Sequence, residues 1–348
     1  MMLWRASGLL LLGAGVLYAQ SADPPQNNAG YVPVLSGGMG YVHNVNGGVT
    51  SLEPQIDPIL LLPLGSHFLI ESRVDFTGYY QRQNLTYGPY TGTVYQTLEF
   101  AQLDWLASTP VMATVGMYLL PFGMYNERLD PIWIRNLQDP PITAAIGNGS
   151  SGAGDGIMLR GVPYQNSSFS IQYSSYFSAL STISKIQASR TAGGDTSIFF
   201  GNHRLEIGTS YQRYLQGRQT NNVASYLSWQ PPRTPLDVKF EYDRSYNGQG
   251  YWLENALWLR QSPFLQNIFQ RFQFVTRMQQ FDPFHGGGNG LPSVGTNRFD
   301  AGLNYYFKDD LRLISSYGRQ FSSKGNENVW NAGITYRFLL PLWPGRNK

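Results

Sequence analysis

A chain of 348 residues has room for roughly two or three soluble domains or for one large barrel, so length leaves the domain count open. It contains no cysteine, which excludes a disulfide framework, a thiolate metal site and a cysteine nucleophile. Charged residues are 14 % of the chain against roughly 25 % in a soluble globular protein, and a net charge of +3 argues against bulk electrostatic binding of nucleic acid.

The amino terminus reads as a secretory signal. Arg5 gives a positive start, Leu9 to Leu17 a short apolar stretch, and Ala19 a small residue for cleavage, so 1–19 is expected to be removed. A membrane anchor is the other reading of this stretch; it is short for a span and lacks a positive stop-transfer flank. Residues 20–35 follow as a Pro/Asn linker on the periplasmic side. Beyond them no run of about 18 apolar residues occurs, as a spanning helix needs. An exported chain is left either soluble in the periplasm or crossing the outer membrane as strands.

From there apolar and polar residues alternate with a period of two. Phe68, Ile70, Val74, Phe76 and Tyr80 oppose His67, Glu71, Arg73, Asp75 and Thr77; Leu236, Val238, Phe240 and Tyr242 oppose Asp237, Lys239, Glu241 and Asp243. Phe272, Phe274 and Met278 oppose Arg271, Gln273, Arg277 and Gln279, and Phe299, Ala301, Leu303, Tyr305 and Phe307 oppose Arg298, Asp300, Asn304 and Lys308. Sixteen strands are expected, at 36–45, 49–62, 66–82, 92–107, 110–120, 155–163, 167–180, 195–200, 203–214, 222–230, 235–246, 251–261, 269–281, 297–308, 311–321 and 328–338, leaving 339–348 as a tail. Counts of fourteen and eighteen stay open. Pro54 and Pro58 make the second strand weak, and the eighth is short.

Alternation alone fits a sandwich as well as a barrel. Three features favour an antiparallel transmembrane β-barrel, the fold class expected here. The strands are near the roughly 9 to 11 residues of tilted membrane strands. Aromatic residues gather towards strand ends, at Tyr79, Tyr80, Trp105, Tyr125, Trp229, Tyr251, Trp252, Tyr305, Tyr306, Trp330 and Tyr336, as in an interfacial girdle. Tight turns alternate with longer polar connections, and an even strand count puts both termini on one side. The connection 121–154 is far longer than the rest, and long unstructured loops in a tight meander are usually functional.

No catalytic constellation appears, and no enzyme, metal or cofactor is expected. His43, His67, His203 and His285 are scattered. Gly147 to Gly152 matches G-x-G-x-x-G but follows no buried parallel strand and opens no amphipathic helix, so it reads as loop. Asp282 to Gly290 has too few acids for calcium. What remains is the polar face. Its pore-lining candidates are Glu71, Arg73, Asp75, Lys239, Glu241, Arg271, Arg277, Arg298, Lys308, Arg312 and Arg337. The late strands are mostly basic, and guanidinium groups can replace part of an anion's hydration, which raises an anion preference; charges that pair with one another are the other reading.

The segment Gly116-Met117-Tyr118-Leu119-Leu120-Pro121-Phe122-Gly123-Met124-Tyr125-Asn126-Glu127 is similar to the strand-end Pro-Phe-Gly segment of gram-negative outer-membrane porins related to the phosphate-selective group. That resemblance implies passive diffusion of small hydrophilic solutes or anions, an outer-membrane lipid environment, a homotrimer, and a loop after strand five that bends inwards as a constriction. By position in that loop it makes Asn126, Glu127, Arg128, Asp130, Arg135 and Asp139 the constriction candidates. Two departures stand beside it: Phe338 is followed by ten further residues where many such barrels end on an aromatic, and no lysine cluster supports phosphate selectivity. A non-conducting structural or adhesive barrel that binds a partner through its loops is the alternative, and a periplasmic soluble β protein a third.

Overall fold

A strand that must face two different environments alternates its side chains, and this chain does so almost throughout. In a computed structural model, residues 32–82, 88–148, 152–183, 186–201, 203–259, 269–285 and 290–342 are described. The expected signal peptide, most of the expected linker and residues 343–348 lie outside them.

The strands are β1 (Val34–Asn46), β2 (Val49–Leu64), β3 (Phe68–Arg82), β4 (Thr91–Ser108), β5 (Val111–Leu119), β6 (Ala153–Gln165), β7 (Phe169–Ser178), β8 (Ser181–Ile183), β9 (Ile186–Ala188), β10 (Thr191–Phe200) and β11 (Leu205–Tyr214). They continue as β12 (Asn221–Trp229), β13 (Leu236–Arg244), β14 (Gly248–Trp258), β15 (Phe272–Pro283), β16 (Thr296–Tyr306), β17 (Leu311–Ser322) and β18 (Gly325–Pro341). All except β8 and β9 form one closed sixteen-stranded barrel, each strand antiparallel to its chain neighbour, with β1 pairing β18 to close the ring. Closure removes the unpaired edges that an open sheet would present.

The two faces differ sharply. On β15, Phe274 and Met278 are 43 % and 54 % exposed while Gln273, Arg277 and Gln279 are buried; on β16, Phe299 and Leu303 face out while Arg298, Asp300 and Asn304 are buried. The outer surface is therefore apolar and the polar side chains lie within the ring. Trp105, Trp229, Trp330 and Tyr336 are exposed as girdle residues should be. Trp252 and Tyr125 are not: Trp252 is 1 % exposed because alternation turns it inward beside the outward Tyr251, and Tyr125 sits in the long connection rather than on a strand.

Pro54 and Pro58 are absorbed without breaking β2. Both keep partners on β1, Tyr41 and Gly37, while the β2–β3 register skips them, so a missing donor falls where no ladder partner is aligned. Differences from the expected elements are local. β10 begins at Thr191, four residues before the expected short strand, and pairs along its length with β7 and β11. β18 runs to Pro341, so Leu339 to Pro341, expected as tail, pair with Ser36 to Val34. The expected loop 181–195 contains the β8–β9 hairpin. Two single-turn helices, α1 (Tyr125–Arg128) and α2 (Ala145–Asn148), interrupt the long connection between β5 and β6.

Candidate functional site

The connection from Leu120 to Gly152 is pinned at its neck. Leu120 N–H donates to the Gly152 carbonyl at 2.9 Å, and Asn126 Nδ2 donates to the carbonyls of Leu120 and Gly152, both at 2.8 Å. One buried amide thus adds a second donor to two backbone acceptors, the Gly152 carbonyl already held by Leu120 N–H and the Leu120 carbonyl by Phe122 N–H at 2.8 Å. Gly123 follows with φ +63, and a Cβ there would lie 2.6 Å from Glu241 Oε1. Only glycine brings the backbone this close, and the result is a run of amide donors aimed at the wall: Gly123 N–H to Ser210 Oγ at 2.9 Å and Met124 N–H to Glu241 Oε2.

Beyond the neck the connection has its own core against the polar face. Phe122 and Ile146 pack with Ala224, Phe281 and Leu291; Met124, Tyr125 and Leu129 pack with Tyr226 and Trp252; Leu137 packs with Ala256 and Val275. Ala224, Ala256 and Val275 are fully buried, small or compact positions on β12, β14 and β15 that leave room for these side chains. On the far side Gly38 of β1 lies flat under Trp133, whose ring a Cβ would meet at 2.2 Å.

Polar anchors run round much of the ring. Arg128 Nη1 meets Glu206 Oε1 of β11 at 2.6 Å, and its guanidinium lies 5.5 Å from the Tyr226 ring. Burial alone would lower the Arg128 pKa, but Glu206, Tyr226 and Asp195 hold it well above its ordinary value, so it stays charged. Asn136 Nδ2 donates to Glu254 of β14 at 2.9 Å, and Asn304 of β16 donates to the Asn136 carbonyl at 2.9 Å. Arg277 of β15 donates to the Asp139 carbonyl at 2.7 Å, while the Asp139 carboxylate takes Arg298 of β16, Asn331 of β18 at 3.3 Å and Asn44 of β1 at 3.2 Å. Arg312 of β17 donates to the carbonyls of Ile132 and Arg135.

The remaining constriction candidates face the early strands. Glu127 pairs with Arg160 of β6 at 2.7 Å, and Asp130 bridges Arg73 of β3 and Arg135, both at 3.3 Å. All six loop candidates thus lie in one bonded segment. Of the wall candidates, Arg73, Glu241, Arg277, Arg298 and Arg312 bond to it directly. Glu71 and Asp75 accept from Gln102 and Thr77 on the early strands, and Lys239 pairs with Asp237 on its own strand. Arg271 and Lys308 are exposed and lie just beyond the ends of β15 and β16, outside the strand segments whose polar face is buried. Arg337 is half-buried beside Gly38. The anchors not among the pore-lining candidates are neutral or acidic: Ser210, Glu206, Asn222 and Glu254, together with Gln279, Asp300 and Asn304, which alternation had already put on the polar face. Their signal was present as polar residues at inward positions, but nothing in the spacing tells an anchor from a solvated side chain.

No family model and no curated protein matches this chain. Solved structures do. An in-vitro folded OmpT, an outer membrane protein of Vibrio cholerae, is 10 % identical over 91 % of this chain and 100 % of its own, with a TM-score of 0.55. Salmonella typhi OmpF, in complex with daunomycin, is 12 % identical over 88 % and 97 % with a TM-score of 0.58. The anion-selective porin from Comamonas acidovorans is 10 % identical over 88 % and 98 % with a TM-score of 0.51. At these identities what is shared is architecture, over 88 to 91 % of this chain: the chain has the closed β-barrel fold of outer-membrane porins.

Proposed function

We propose that this protein is a passive porin of the outer membrane, whose water-filled lumen is narrowed by the connection 121–154. One observation carries the reading: inside a closed ring with an apolar exterior, a single segment is bonded to β1 and β3 on one side and to β11 through β18 on the other, so solutes must pass beside it. An apolar outer band fits lipid, and a polar interior fits water and small hydrophilic solutes. The six loop residues Asn126, Glu127, Arg128, Asp130, Arg135 and Asp139 form the constriction in this reading. A homotrimer is part of it, in keeping with a Vibrio cholerae OmpT structure in trimer form. A bare guanidinium wall selecting anions has little support: the side chains of Arg277 and Arg298 are 3 % and 7 % exposed and answered by Glu254, Asp300 and Asp139.

Liposomes loaded with the purified protein should swell in isosmotic solutions of small sugars, more slowly as the sugar grows. Swelling no faster than in protein-free liposomes would contradict the reading. The density of wall bonds to the loop favours a second one, a shut barrel whose loops serve adhesion. Swelling that stays absent after deletion of Asn126 to Ser150 would support it.

A further inference from the structure

The ring's charges divide by what they are bonded to. On the late strands each buried guanidinium is spent on the loop or on a carboxylate: Arg312 on loop carbonyls, Arg298 on Asp139 and Asp300, Arg277 on the Asp139 carbonyl beside Glu254 and Asp300. On β2, β3 and β4 the reverse holds. Glu53 accepts from Ser51 at 2.6 Å, Asp75 from Thr77 at 2.7 Å, Glu71 from Gln102 at 3.3 Å, and Asp104 from Gln102 at 3.0 Å and Thr114. These partners are neutral, so the hydrogen bonds satisfy the carboxyl oxygens without pairing them with a cation. Of the acids on this wall, Glu99 has a cation of its own, Arg73 at 3.4 Å, and Arg73 is shared with Asp130.

A second observation points the same way. Asp57 is 3 % exposed, and its Oδ1 has no hydrogen-bond partner among the described residues, while Gln55 Nε2 spans its other oxygen at 3.1 Å and Asp75 at 3.4 Å. One amide thus joins two carboxyl groups of neighbouring strands on this wall, and among the described residues no guanidinium or ammonium is bonded to either. The loop is also sparsely bonded to this wall: among the described residues no hydrogen bond is seen from β2 or β4 to it, and Arg73 pairs with it from β3. Its side chains there remain wetted, Asp130 at 33 % and Glu127 at 28 %, against 17 % for Arg160 and 18 % for Arg135.

We propose that the permeation path follows the β2 to β4 wall and prefers cations, whether inorganic or small organic ammonium ions, over anions. This rests on the porin reading above. Acids along a path with low-dielectric walls concentrate counter-ions and repel co-ions, which sets selectivity without a tight site.

The experiment is a reversal potential in planar bilayers under a potassium chloride gradient, with the unmodified protein. The expected potassium-to-chloride permeability ratio is about tenfold, the low end of what such a field achieves. The double variant E71Q/D75N should lower it by about threefold or more, whereas D309N, in an exposed turn, should leave it unchanged. Should the double variant fail to fold, replacing chloride by gluconate with the unmodified protein keeps the question open to measurement: the current should persist and the reversal potential barely move. A ratio near one, or a potential of anionic sign, overturns the cation path while leaving the pore intact. Insertion without any conductance step overturns the pore and this inference with it.

Discussion

Asp300 holds together the most crowded charge cluster in the ring. It accepts from Arg298 Nε at 2.8 Å and Gln279 Nε2 at 2.6 Å, and lies 3.8 Å from Arg277, with its own side chain 2 % exposed. D300N takes a charged acceptor from Arg298 and Arg277 together, leaving Arg298 with Asp139 and Arg277 with Glu254, and should cost about 2 to 3 kcal/mol. D139N leaves Arg298 with Asp300 at 2.7 Å and should cost about 1 kcal/mol. Unfolding midpoints in guanidinium chloride, followed by the gel shift between folded and unfolded barrel, should rank the two variants in that order; equal midpoints would show that Asp300 is not the hub. Gly123 permits a similar test. G123A combines positive φ with a clash at Glu241, so it should release the Met124 donor and cost about 1 to 3 kcal/mol. Hydrogen exchange at the Met124 amide should quicken in that variant, and unchanged exchange would argue that the latch is not strained.

At the scale of the element, the long connection is hydrogen-bonded at many points to polar side chains of the barrel strands. Its neck is reinforced by Asn126: N126A removes the side-chain donor shared by the Leu120 and Gly152 carbonyls, which keep Phe122 N–H and Leu120 N–H, a local cost of about 1 kcal/mol. Protease cleavage within 126–150 should then speed up while the barrel stays intact; unchanged cleavage would mean that Leu120 N–H to Gly152 alone closes the neck. Much of the strand pattern was legible from alternation, because each strand separates an apolar exterior from a polar interior and a period of two records that choice residue by residue. The loop's length and its place after the fifth strand were legible too. Its partners were not. Arg312 reaches the Arg135 carbonyl across 177 residues of sequence and Arg298 reaches Asp139 across 159, and no local pattern encodes which inward side chain meets the loop. The late arginines were therefore placed on the correct face but credited with a freedom that Asp139, Asp300 and the loop carbonyls remove. Arg271 and Lys308 show the other gap: periodicity assigns a face but gives no depth, and both lie past the strand ends.

For the molecule as a whole, the account is one of division of labour around a closed ring. The exterior is apolar and the late strands carry the loop; in the proposed reading that exterior faces lipid and the early carboxyl groups line the path. Glu53, Glu71, Asp75 and Asp104 have neutral hydrogen-bond partners while the guanidinium groups opposite are ion-paired, so acids and bases are unevenly distributed round the ring in a chain that carries +3 overall. Every part of this depends on a lumen that conducts and on a loop that narrows it. The most direct measurement is single-channel recording in planar bilayers of the unmodified protein beside a variant lacking 126–150. The account predicts discrete conductance steps from the first and larger steps from the second. Insertion of both proteins with no steps from either, or steps of equal size from the two, would contradict it.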